Sequence, residues 1–351
     1  MDPRLESCQG ALARLATRDE EARRRFPEEE DPDSWLEYGI SPFRIDACLK
    51  LLPCEALRRS GDKTQVRPGV LNMHIRKRLT HALEVAGLAF PAASLLGLNA
   101  DLTLAIALGH DIGHMPFGHT GEQTLSRLSG KKIRHEVLSV VIAQKVERRG
   151  YGLNLTYQTL CGLKDHSRGD GPFTLLEGAS QETDLVMYTD KIGYLWADFS
   201  DIFGRGWVDL SAYRELADLA DWFGKNQRER TARCFRALCL ESAQAGRIIF
   251  EKSEEAERLN LVRKWMYKVY NLANGRTEVV PTIERVYEMI SAALPEVDPV
   301  LFVALLSDSE MVFLDTKKRL APEDLKDLSS MEILAHLEGR KIDLTDPDLN
   351  W

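Results

Sequence analysis

The sequence predicts an all-α protein. From about Trp35 onward apolar residues recur at three- and four-residue spacing, alternating strand-like runs are scarce, and no internal repeat or low-complexity segment interrupts the pattern. The 351 residues are 44% hydrophobic and 28% charged, with a mean hydropathy of −0.27. That balance supports a sizeable core and excludes a collagen-like, largely disordered or membrane-embedded chain.

Taken in order, residues 1–36 read as a charged arm. Between Asp19 and Asp33 eight acids surround three arginines and few apolar residues, the signature of a solvated segment. The leading stretch has no apolar core of the secretory kind, so the cytoplasm is the expected compartment. From Glu55 to Val85 the sign reverses locally, with seven Arg/Lys against three acids. The net charge of −8 disfavours broad nonspecific nucleic-acid binding, so an anionic ligand needs such focused help. Val85–Ala100 is the least charged stretch; it contains Pro91 and Asn99, is shorter than the ~18–20 residues of a membrane span, and reads as a buried helix. Gly169-Asp170-Gly171-Pro172 marks a loop, and residues 206–351 keep helical periodicity, as at Leu259–Leu272 and Ile283–Leu294. The expected division is therefore an arm (1–36), a core (37–205) and a C-terminal helical region packed on it (206–351). Six cysteines lack Cys-x-x-Cys spacing and are expected to be reduced and structural.

Seven of eight histidines (His74, His81, His110, His114, His119, His135 and His166) lie within residues 74–166. Helical spacing puts Arg78 and His81 on one face, continued by Val85 and Leu88. Alone, that reads as an amphipathic helix with a solvated arginine. The apolar run Leu102–Leu108 leads into Gly109-His110-Asp111-Ile112-Gly113-His114-Met115-Pro116-Phe117-Gly118-His119-Thr120-Gly121-Glu122, where buried polar groups would be destabilising unless bound to something. An imidazole beside a carboxylate suits a first-row divalent metal with positions left for water and phosphate oxygen. Asp190, Tyr194 and Asp198 share a helical face at i, i+4 and i+8, beside Lys191; in isolation this reads as a surface helix.

His81, then His110-Asp111, then Asp190, is a pattern that resembles the HD-domain metal-dependent phosphohydrolases. More narrowly, the segment Gly109–Glu122 is similar to the motif of deoxyguanosine triphosphate triphosphohydrolases. Lys63-Thr64-Gln65-Val66, Arg78-Leu79-Thr80-His81, His135-Glu136 and Gly152–Tyr157 resemble further family segments in the right order.

The resemblance implies an HD-domain helical core, with His81, His110, Asp111 and Asp190 holding one divalent ion. Mn or Mg is the first expectation; Fe, Co, Ni and Zn also suit two imidazoles and two carboxylates. It further implies that Arg78 and Lys191 meet phosphates, that Tyr194 packs under the sugar, and that Gln65 and Asp198 read the deoxyribose 3′-hydroxyl. His114, His119, Glu122 and His135 match catalytic positions over the α-phosphate. The implied reaction is hydrolysis of a deoxynucleoside triphosphate to deoxynucleoside and tripolyphosphate by a homo-oligomer, with a nucleotide effector or single-stranded nucleic acid as family-type regulators. Two departures bear on specificity. Lys191 follows the metal aspartate where many bacterial members have a second aspartate, and Leu306–Met311 is only loosely similar to the family's Gly-Met-Thr-Asp region. Two other readings compete. One is another HD phosphohydrolase, such as a nucleoside monophosphatase or a cyclic-nucleotide phosphodiesterase, although cyclic-dinucleotide members usually have lysine where this chain has His114. The other is an inactive nucleotide-sensing or nucleic-acid-binding protein.

Overall fold

A computed structural model describes residues 3–27, 31, 39–69, 72–167, 175–273, 276–317, 319–337 and 339–351. The loop expected at residues 169–172 lies outside them, as do the boundary near residue 36 and Glu28, Glu29, Glu30 and Asp33 of the arm. Helices α1 (Pro42–Ile45) and α2 (Glu55–Arg59) precede the long α3 (Arg78–Leu96). Then come α4 (Ala100–Gly109), α5 (His119–Ser129), α6 (His135–Lys145), α7 (Tyr157–Asp165) and α8 (Gln181–Gly204). Helices α9 (Arg214–Phe223), α10 (Gln227–Ala245), α11 (Glu254–Ala273) and α12 (Arg276–Ala293) follow. The chain closes with α13 (Pro299–Ala304), α14 (Asp308–Asp315), α15 (Pro322–Leu325) and α16 (Ser329–Leu337). Among the described residues, extended pairing is limited to isolated bridges at Arg24–Thr156 and Thr64–Lys77, so the predicted all-α class holds.

Of the stretch expected to be a buried helix, Val85–Leu96 lies in α3, and the chain turns before α4 begins at Ala100. Gly97 ends α3 in the left-handed region at φ 80°, and the Asn99 side chain caps α4 by accepting from Leu102 N at 3.0 Å. Pro91 sits inside α3, where the fully buried Ala89, Ala92 and Ala93 hold the helix by packing despite the lost N–H. By length and composition α3 could cross a membrane, the only described helix that could. In this fold it packs against α4 and α8 and carries the buried Arg78 and His81. Apart from Asp101 and Thr103, helix α4 is apolar, with Leu102, Ala105, Ile106 and Ala107 fully buried, and so occupies the middle of the bundle against α3, α7 and α8.

Two hydrophobic cores flank that middle. One joins Ala82, Ile106, Val141 and Leu160 to Ile283, Phe302 and Leu314; the other joins Cys8, Leu12 and Leu96 to Tyr188, Trp196, Leu238 and Val262. Residues 206–351 therefore do not pack as one region: α10 and α11 lie on α8, whereas α12 lies on α5.

The arm is also less solvated than expected. Asp19–Glu21 are exposed, but Leu12 N donates to Leu96 O at 2.8 Å and Cys8 and Leu12 are fully buried. Further on, Arg24 Nη1 donates to Asp46 Oδ1 at 2.7 Å, and Lys50 Nζ donates to Asp31 Oδ2 at 2.6 Å, with Lys50 and Asp31 both buried. These charges enter the protein because each finds a fixed opposite charge. The excess of bases before α3 is balanced in the same way: Arg76 lies 3.0 Å from both Glu84 and Asp201, and Lys77 lies 3.8 Å from Asp62. No disulfide joins any of the six cysteines, and Cys48 is exposed rather than structural.

Candidate metal and catalytic centre

Two helix ends and the middle of a third helix deliver the first set of groups. Arg78 and His81 open α3, His110 and Asp111 follow α4, and Asp190 comes from within α8. Arg78 and His81 share a face as predicted, but the arginine is buried rather than solvated, and its Nη1 donates to Asp111 Oδ2 at 2.7 Å. His81 Nε2 lies 3.0 Å from Asp190 Oδ1, 3.9 Å from Asp111 Oδ2 and 3.4 Å from His110 Nε2. His110 Nε2 lies 3.4 Å from Asp111 Oδ1 and 3.8 Å from Asp190 Oδ1. His81, His110 and Asp111 bring ligand atoms within 4.8 Å of one another, and Asp190 reaches the two histidines. The surface-helix reading of α8 fails, because Met187, Tyr188, Ile192 and Leu195 beside Asp190 are buried.

The donor set fits a divalent ion. His110 Nδ1 donates to the Ala107 carbonyl at 2.8 Å, which fixes the tautomer and leaves the Nε2 lone pair facing His81 and the carboxylates. Burial raises the Asp111 carboxyl, but its contacts with His110, His114 and Arg78 outweigh it and hold the group well below the usual carboxylate range. Burial likewise opposes ionisation of Asp190, and its hydrogen bond and charge pairing with His81 prevail, so it too is lowered. Two anionic oxygens and two imidazoles meet there.

The second set stands against the first. His114 Nε2 is 3.2 Å from Asp111 Oδ1, its ring stacks on His135 at 3.9 Å between centroids, and His119 meets His114 edge-on at 5.0 Å. Glu122 Oε2 accepts from both His135 Nδ1 (2.8 Å) and His135 N (3.0 Å). Burial pushes His135 down, while the Glu122 hydrogen bond and the charges of Glu122 and Asp111 reverse this and leave it raised. His114 is held well below its ordinary value by burial and by the charges of Arg78 and His135. Desolvation, His135 and Arg78 lower His119 to about 4, although its outer edge is exposed. One imidazole that favours a proton thus adjoins two that favour the neutral form.

Glycines make the approach close enough. A side chain at Gly113 would collide with Ser139 N and His135 O, so α6 could not reach the loop. Gly118 adopts φ 59°, and a Cβ there would lie 2.6 Å from Arg78 Nη2.

The remaining expected residues surround this centre. Lys191 is buried, with Nζ 5.6 Å from the Tyr194 ring centroid, and its charge contributes to lowering Asp190. Tyr194 Oη lies 3.4 Å from Tyr267 Oη, and Tyr270 donates to Asp198 Oδ2 at 2.9 Å. Burial pushes Asp198 up to about 7, and its Oδ1 has no hydrogen-bond partner among the described residues. Gln65 follows Thr64 in the loop before α3, with its Oε1 buried and unpartnered among those residues. His74 is exposed and takes no part.

Sequence reasoning missed three contributors. His166 is buried at the end of α7, its ring 5.0 Å from His110 and 5.6 Å from His135. Asp308, at the start of α14, accepts from Thr64 N and Phe117 N at 2.9 Å each and from Thr64 Oγ1. Lys63 Nζ donates to His114 O at 2.5 Å and Ala304 O at 3.1 Å, and burial pushes it down to about 7. Only the clustering of His166 with the other histidines pointed to it.

An all-helical bundle in which a histidine, a His-Asp pair and a distant aspartate meet defines an HD-domain phosphohydrolase, and the HD domain family model matches residues 78–194. Among curated proteins the chain is 41% identical over 216 residues to a deoxyguanosinetriphosphate triphosphohydrolase-like protein of Caldanaerobacter subterraneus subsp. tengcongensis. That match spans 61% of this chain but only 60% of the relative. Proteins of the same description from Clostridium tetani (33% identical, covering 72% of this chain and 71% of the relative) and Desulfatibacillum aliphaticivorans (35%, covering 71% and 72%) match over more of their length. The chain belongs to the deoxyguanosinetriphosphate triphosphohydrolase-like family of HD-domain proteins.

Proposed function

We propose that the protein hydrolyses deoxynucleoside triphosphates at the α-phosphorus, releasing deoxynucleoside and intact tripolyphosphate. The observation that supports this most is the position of Asp111. It lies against His81 and His110 of the ion-holding set, Arg78 of the phosphate set and His114 of the proton-handling set. His81, His110, Asp111 and Asp190 would hold a divalent ion, which when bound would polarise a phosphoryl oxygen and lower the pKa of bound water.

The chain's own residues do the rest. Arg78 and Lys191 offset phosphate charge in a buried site, where such pairing is stronger than in water. The His135–Glu122 pair holds a proton at an imidazole nitrogen and supplies it to the departing 5′-oxygen, while neutral His114 and His119 accept protons beside it. Tyr194, backed by Tyr267, offers the sugar a flat face. Gln65 and Asp198 each carry a buried polar oxygen without a partner among the described residues, which suits them to a sugar hydroxyl. A cytoplasmic homo-oligomer, with Mn or Mg as the activating ion, belongs to the same proposal.

Incubating the protein and Mn with each of the four deoxynucleoside triphosphates, and resolving the products by ion chromatography, tests the reaction. Tripolyphosphate and deoxynucleoside in equal amounts are expected. Orthophosphate or pyrophosphate as the sole phosphate product would refute it and favour the other HD chemistries.

A further inference from the structure

We propose that Asp308 is a positioning residue: it clamps the loop that carries Gln65 to the catalytic loop at Phe117, and so sets where His119 and Arg78 stand. The inference deepens the reaction assigned above, and its kinetic arm rests on that reading. Asp308 opens α14, 191 residues from Phe117 and 244 from Thr64.

Asp308 is buried, and its two oxygens serve two different segments. Oδ2 accepts from Thr64 N at 2.9 Å and from Thr64 Oγ1, while Oδ1 accepts from Phe117 N at 2.9 Å. A carboxylate in the first turn of a helix ordinarily serves that helix's own N–H groups. Here the neighbours cap α14 instead: Ser307 Oγ accepts from Glu310 N at 3.3 Å, and Glu310 Oε2 accepts from Ser307 N at 2.6 Å. Asp308 is left to hold the two loops.

The backbone at Phe117 is what needs holding. Its φ is 61°, a region that a bulky side chain enters only where the surroundings dictate it, and Gly118 follows at φ 59°. This bend leads the chain into α5, whose first residue is His119. It also brings Gly118 so near its neighbours that a Cβ there would lie 2.6 Å from Arg78 Nη2 and 3.5 Å from the Thr64 carbonyl oxygen. A second fastener holds the same junction, because Lys63 Nζ donates both to His114 O and to Ala304 O at the end of α13. The corner between α13 and α14 thus grips the catalytic loop at two backbone points, His114 O and Phe117 N. Placement of this kind matters to rate, since a shift of ~1 Å can cost about 10²-fold.

Turnover and hydrogen–deuterium exchange on the full-length protein test the clamp. Asp308→Asn keeps the shape but has an acceptor oxygen on one side only, so one of the two loops loses its bond. With Mn and the deoxynucleoside triphosphate turned over fastest, kcat should fall about 10–100-fold, with a smaller change in KM. Peptides covering residues 63–66 or 115–119 should exchange at least about 10-fold faster, while α4 and α6 keep their rates. Thr64→Val deletes only the hydroxyl donor and should give a weaker change of the same kind; circular dichroism confirms that each variant is folded. Glu310→Gln disturbs the cap of α14 without touching either loop, so its faster exchange should stay within α14 and the segment around Ser329, with kcat nearly unchanged. Unaltered exchange in both loops of Asp308→Asn, an unaltered kcat in that variant, or an equal loss of kcat in Glu310→Gln would overturn the proposal. An unaltered protein that turns over no deoxynucleoside triphosphate would defeat the proposed function instead, and the exchange rates would still decide the clamp.

Discussion

The arm clasp and the histidine centre are both buried, both charged and both assembled from distant segments, yet they close differently. In the clasp, Asp46 Oδ1 accepts from Arg24, while Oδ2 accepts from Thr156 N, Thr156 Oγ1 and Thr159 Oγ1 at 2.9, 2.7 and 2.7 Å. Lys50 Nζ donates to both Asp31 and the Asn154 carbonyl. Both oxygens of Asp46 and the Lys50 ammonium are thus met by fixed partners. In the centre, His81 Nδ1, His114 Nδ1 and Arg78 Nε are buried without partners among the described residues, and imidazoles crowd one another. A network that closes on itself holds a fold, whereas one with open valences is built to be completed by something else.

That contrast predicts opposite responses to substitution. Asp111→Asn removes the carboxylate both sets share, and hydrolysis of deoxynucleoside triphosphate should fall about 10³-fold or more in a metal-supplemented kcat assay. Asp46→Ala removes the carboxylate that pairs with Arg24, leaving the guanidinium only the Asn154 and Pro42 carbonyls, and strips Thr156 N of its acceptor. Denaturant unfolding should show about 3–5 kcal/mol lost, with kcat of the remaining folded protein little changed. Equal losses of stability and activity in both variants would erase the distinction.

Glu122→Gln sharpens it from inside the centre. His135 is raised by Glu122, so the stability this pair adds at the histidine is fully present below its ordinary pKa of about 6.5 and disappears as pH rises through the raised value. Glu122 is lowered, so its share is present above the ordinary glutamate pKa and disappears as pH falls through the lowered value. The pair therefore stabilises most between those limits. In the kcat/KM profile, Glu122→Gln should move the alkaline limb to lower pH and reduce the plateau about 10–100-fold. An unmoved limb would remove His135 from proton handling. At the small end, Arg127→Ala deletes the exposed Arg127–Glu284 pair and should cost under about 1 kcal/mol in the same denaturant assay.

The sequence made the centre more legible than the clasp, for a physical reason. His110 and Asp111 follow an apolar run that does not bury polar groups without cause, Arg78 lies one turn from His81, and the family resemblance joined these to Asp190, which spacing alone placed on a surface helix. Asp31, Asp46 and Lys50 look like ordinary solvated charges, and nothing local shows that Asn154 and Thr156, more than a hundred residues away, will receive them. The same blindness hid Asp308, whose partners Thr64 and Phe117 lie far upstream, and His166, whose role depends on α7 ending beside α4. The all-α class followed from periodicity alone. The separate packing of α10–α11 and α12 did not, because two amphipathic regions of similar composition say nothing about which surface each will cover.

The most direct test follows the melting temperature of three proteins, unaltered, Asp46→Ala and Asp111→Asn, after metal stripping and then titration with Mn. Saturation 100-fold above Kd adds about 2.7 kcal/mol wherever the native site binds the ion. The unaltered protein and the clasp variant should gain the same increment from different starting points, and Asp111→Asn should gain almost none. A full increment in Asp111→Asn would contradict the assignment of this centre.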